Sequence, residues 1–122
     1  MQYRCISTSS DQRTFVVVLA TGDEILSSLQ EFVQKERVHV ASFTAIGALS
    51  DASLRYFDWE KKEYQKIPVR EQVEVASLIG DVAEGPDGKP TLHVHIVLAR
   101  AMAALRQGIS ARDMCVPRSR LS

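Results

Sequence analysis

The stretch TLHVHIVLARAMAALRQGISARDM (residues 91–114) decides the fold and also marks where the pattern changes. Up to Leu98 it alternates as a strand does. Leu92, Val94, Ile96 and Leu98 point to one face, and His93, His95 and Val97 point to the other. After Arg100 the alternation stops, and alanines, arginines and small residues take over. A strand with one apolar face has to bury that face, so the segments before it should supply a sheet and a covering layer.

Those segments do so in order. QYRCIST and FVVVLAT are short β-branched runs separated by the polar SSDQRT, which predicts two strands and a turn. Thr21 followed by Glu24 has the spacing of a capping box, and Ile25, Leu29 and Val33 recur every four residues behind it. This predicts one amphipathic helix of about four turns ending near Arg37. VASFTAIGAL and SDASLRYFDW read as two further strands, with Gly47 at a bulge or close backbone approach. EYQKIPV is a strand that Pro68 confines to an edge, because proline has no N–H to give to a ladder. EQVEVASLIGDVAE is the next strand, EGPDGKP a turn-rich loop, and TLHVHIVLA the last regular strand. Six or seven strands and one helix, mostly meandering, predict an α+β domain with a mainly antiparallel sheet.

Composition narrows the function classes. At 122 residues, with 45% hydrophobic and 25% charged residues, the chain reads as one ordinary globular domain. No apolar run reaches the roughly 18 residues of a membrane span, and no basic-then-apolar leader opens the sequence. A cytoplasmic protein with no membrane partner is therefore expected. Cys5 and Cys115 are read as free thiols. The zero net charge hides an asymmetry: residues 1–98 carry 10 Lys+Arg against 14 Asp+Glu, hence −4. Residues 99–122 carry five arginines against Asp113 alone, hence +4. An acidic body is a poor partner for the phosphates that dominate DNA affinity.

His93 and His95 are the candidate metal-binding residues. Imidazoles at i and i+2 of a strand stand side by side, roughly 6–7 Å apart, close enough to converge on one ion at about 2.0–2.1 Å. Zinc needs three or four protein ligands, and nothing in the sequence selects the next among His39, Glu74, Asp81 and Cys5. The plainer reading makes both histidines half-exposed strand residues hydrogen-bonded to their neighbours. No nucleophile elbow, phosphate loop or dinucleotide fingerprint is present, so no catalytic or cofactor-binding residues are assigned and an enzyme is the less favoured class. Tyr56, Phe57 and Trp59 are read as core or subunit-contact residues.

The succession TAIGALSDASLRYFD, EQVEVASLIGDV and PTLHVHIVLA, behind an N-terminal ββα, resembles the plants and prokaryotes conserved domain, PPC or PCC. The resemblance is to the stand-alone bacterial type and covers about residues 3–100. It implies an α+β domain that associates as a homotrimer and serves as a DNA-binding or regulatory protein, an interaction module with other proteins as partners. DNA contact in the plant members is made by an R-G-R-P-type AT-hook, and VPRSRLS does not match it. In prokaryotic members the H-x-H strand resembles a metal site completed by a histidine in a Gly-His-Leu segment just downstream. His93 and His95 match the first two positions, and the third has no counterpart. The resemblance thus implies an incomplete site for zinc or another divalent metal, and the alternative function is a metal-binding protein or metal-dependent enzyme.

Residues 101–122 are a divergent tail, expected to be disordered or weakly helical on Ala101, Leu105 and Ile109. One allowed set of codons for Ala101 to Ser122, read from the third base of the Ala101 codon, spells DGSAPPGHLRAGHVCPTLEVI. That string contains Gly-His-Leu and a closing strand pattern. A single-base slip near codon 101 would explain the lost third histidine, and would leave this chain without a terminal strand.

Overall fold

The structure, a computed structural model, describes residues 1–100 in full and, over 112–121, the course of the backbone. Strands β1 (Gln2–Thr8) and β2 (Arg13–Val18) form an antiparallel ribbon, turned by the Ser9 N–H donating to the Gln12 carbonyl at 2.8 Å. Helix α1 (Ile25–Lys35) follows. Tyr3 and Phe15 from the ribbon and Phe32 from α1 meet edge to face, with centroids 4.9–6.3 Å apart, which fixes the ribbon on the helix.

The helix starts later and ends earlier than the sequence predicts. Gly22 sits at φ 93° and Asp23 donates its N–H to the Ala20 carbonyl, so residues 20–23 form a turn. Thr21 is therefore outside the helix, and Glu24 is the N-cap, its carboxylate accepting the Ser27 N–H. Glu36 closes the other end, with Arg37 left-handed at φ 52° and Val38 N–H bonded to the Val33 carbonyl at 2.9 Å. This is the Schellman arrangement with arginine where glycine is usual.

Five strands make the main sheet: β3 (Ala41–Asp58), β4 (Glu63–Val69), β5 (Val73–Glu84), β6 (Pro90–Ala99) and β7 (Arg112–Leu121). Their order is β4-β3-β5-β6-β7, all pairs are antiparallel, and β7 also pairs with β3. Leu49 stands opposite both Val73 and Leu121, and Ala52 opposite both Val69 and Ser119. So β5 and β4 share one edge of β3 in succession, β7 takes the other, and the sheet closes on itself. Pro68 lies on β4, which pairs only with β3 among the described residues, as its missing N–H requires.

Two readings are corrected here. VASFTAIGAL and SDASLRYFDW are one continuous strand, β3, and the register shift at Ala45/Gly47 is the bulge that Gly47 predicts. Residues 112–121 are a strand and neither disordered nor helical, because backbone pairing to the open edges of β3 and β6 needs no side-chain pattern. The terminal strand position is thus filled. The weak helix expected on Ala101, Leu105 and Ile109 lies outside the described residues.

The core lies under the concave face, where Leu49, Leu54, Val94, Ile96 and Leu98 are wholly buried. Ile25 joins them from α1, with Leu26, Leu29 and Phe43 packed at the margin. Each such side chain contributes about 1.5–3 kcal/mol on burial. Among the described residues no helix is long and apolar enough to cross a membrane.

Candidate functional site

Burying Val94, Ile96 and Leu98 turns the intervening residues of β6 outward. His93 and His95 are both exposed on this outer face, as their spacing predicts. The β5–β6 register sets His93 opposite Asp81 and His95 opposite Ile79. His93 Nδ1 is 3.8 Å from Asp81 Oδ1, an ion-pair distance when the imidazole is protonated but too long for a hydrogen bond. Asp81 stands in turn opposite Ser42, and Ile79 opposite Thr44. The face therefore reads Ser42–Asp81–His93 in one row and Thr44–Ile79–His95 in the next.

A glycine sets the main chain under this face. A Cβ on Gly80 would overlap the Phe43 ring and come within 2.8 Å of the His93 carbonyl oxygen. Only hydrogen at that position lets Phe43 lie across β5, so Gly80 holds the backbone of β6 at His93.

The other candidate ligands separate. His39 is 4.0 Å from Glu84, three residues beyond Asp81 on β5. Glu74 stands opposite Ala99, past the bulge at Val75/Ser77. Cys5 is on the ribbon, its Sγ against Ser7 O and Thr8 Oγ1 at 3.4 and 3.3 Å. Asp81 alone joins the pair, and sequence spacing could not select it because only the β5–β6 register brings it across. Among the described residues no group of three His, Cys, Asp or Glu is arranged to hold a metal. The two imidazoles are suitable zinc donors, but the described residues do not complete the set.

These features define an α+β domain, with one helix among the described residues, that presents His93, His95 and an acidic neighbour on an open strand face. The chain belongs to the Plants and Prokaryotes Conserved (PCC) domain family, whose model matches residues 6–116. Among solved structures it is similar to a plant- and prokaryote-conserved protein of Pyrococcus horikoshii, at 33% identity and a TM-score of 0.69. That match covers 84% of this chain and 68% of the other. A metal-containing protein of Archaeoglobus fulgidus matches at 31% identity and a TM-score of 0.68, covering 84% and 69%. A candidate DNA-binding protein of Bacteroides thetaiotaomicron matches at 25% and 0.70, covering 85% and 68%. No curated protein matches significantly.

Proposed function

We propose that this chain is a self-associating interaction module of regulatory type, working as a homotrimer. The observation that carries this reading is the amount of large apolar surface left open on one small domain. Val40, Ile46, Trp59, Tyr64 and Ile79 are all exposed, as are Val16, Val18 and Tyr56. Among them Trp59 and Tyr64 form one cluster through the Phe57 ring, and an exposed apolar cluster of this kind marks a protein contact. Sedimentation equilibrium tests it: a trimer mass is expected, and a monomer mass at every concentration rejects it. DNA contact is the weaker part. The Bacteroides relative supports it, while the −4 charge of residues 1–98 opposes it. A DNA-binding member should bind random duplex with affinity that falls steeply as salt rises.

The second reading is metal binding by His93 and His95, favoured by their shared exposed face and by the metal-containing Archaeoglobus relative. The further donor would come from a neighbouring subunit or from residues beyond Arg100. In this reading the metal, when bound, would polarise a ligand oxygen, and the chain's own contribution is orientation, with Asp81 beside His93. Metal content after purification, compared with that of a His93→Ala/His95→Ala variant, tests it. Equal content in the two rejects it.

A further inference from the structure

The β3–β4 hairpin projects past the core and carries a preformed aromatic knob. Phe57 stands opposite Tyr64 on paired strands, and its ring meets those of Tyr64 and Trp59 edge to face, both at 5.1 Å. The loop is pinned from within: Asp58 Oδ1 accepts the N–H groups of Glu60 and Lys61, and Oδ2 accepts Gln65 Nε2. Lys62 lies over the Trp59 ring at 4.9 Å. Despite this order Trp59 is 72% exposed and Tyr64 62%. Rigid Trp and Tyr side chains held open to water are the composition of interface hot spots. Trp59 and Tyr64, at ~150–250 Å² each and exposed by these fractions, offer roughly 200–330 Å², about a quarter to two-fifths of the ~800 Å² each partner gives to a standard interface.

The same chain also carries a recess. A cleft of about 840 Å³ runs between α1 and the β3–β4 pair. Leu26, Ala52 and Val69 supply its apolar part, and Glu24, Asp51 and Arg70 stand among its polar lining. We infer that the Trp59–Tyr64 knob of one copy seats in this cleft of the next, with Lys62 brought to Asp51. The contact is heterologous, knob to cleft, and such contacts close into rings when the rotation permits. This deepens the proposed self-association and rests on it.

Trp59 is the single tryptophan, so its fluorescence reports the knob directly. In the intact chain its emission should be blue-shifted at concentrations where sedimentation shows the trimer, and should move to the water-exposed value as dilution releases monomer. Trp59→Ala and Asp51→Lys should each weaken association at least tenfold with unchanged circular dichroism and melting. Lys62→Glu in the Asp51→Lys background should recover part of the loss. A trimer whose Trp59 emission stays fully exposed, or whose association neither substitution changes, overturns the knob-and-cleft contact and leaves self-association standing. A monomer at every concentration overturns both.

Discussion

Single residues carry more of this fold than their size suggests. Gly80 is the clearest case, because the ring of Phe43 and the carbonyl of His93 occupy the space a side chain would need. Gly80→Ala should cost about 1–3 kcal/mol, the usual range for overpacking. A thermal melt should fall by several degrees, and the amide resonances of residues 92–94 should move most. Arg37 is the opposite case. A non-glycine residue held at φ 52° opposes the left-handed penalty of about 1–2 kcal/mol, while glycine there would lose extra chain entropy of roughly 0.5–1 kcal/mol. Arg37→Gly should therefore be neutral to about 1 kcal/mol stabilising, read as a raised denaturant midpoint at unchanged slope. The sequence shows the histidine pair and its face plainly, since period-two alternation fixes both. It hides Asp81 and Phe43, whose roles exist only once β5 is registered between β3 and β6.

At the scale of elements, legibility follows the regularity of the pattern. The stripe of Ile25, Leu29 and Val33 reveals α1, but Thr21 and Glu24 mislead about its start because Gly22 turns the chain between them. In β3 the buried positions are odd at Leu49 and even at Ala52 and Leu54, with a register shift between Leu49 and Asp51. Alternation that changes parity within one strand looks like two strands, which is why the sequence divides it. The entry to α1 also has a pH signature. The Met1 amino group beside Asp23, and then the Ala20 N–H, hold the Asp23 carboxyl below its ordinary range. A lowered folded-state pKa gives stabilisation that is present above the unfolded value and lost as pH falls through the folded one. Asp23→Asn should thus be less stable than the parent near neutrality, and the two melting curves should converge as acid protonates the carboxylate.

For the whole molecule the question is whether the last strand suits the sheet it closes. The register sets Asp113 opposite the buried Leu98, Ser119 opposite Ala52, and Pro117 opposite Leu54. At these register positions the sequence of β7 is polar or proline where that of β6 and β3 is apolar. Pro117 also withholds an N–H from the ladder. The backbone route is that of a terminal sheet strand, while the sequence along it, RDMCVPRSRL, lacks the apolar alternation of a half-buried strand. The overlapping frame, DGSAPPGHLRAGHVCPTLEVI, ends in an apolar-rich strand pattern and adds histidines just beyond β6. A chain carrying that string in place of residues 102–122 should melt higher, aggregate less, and bind zinc more tightly through His93 and His95. Calorimetry on the two chains side by side measures both effects. If the replaced chain binds zinc no better, the missing-donor argument fails whatever its stability. If the gene's codons from position 101 onward are incompatible with the second frame, the slip itself is excluded and the arginine-bearing strand is native.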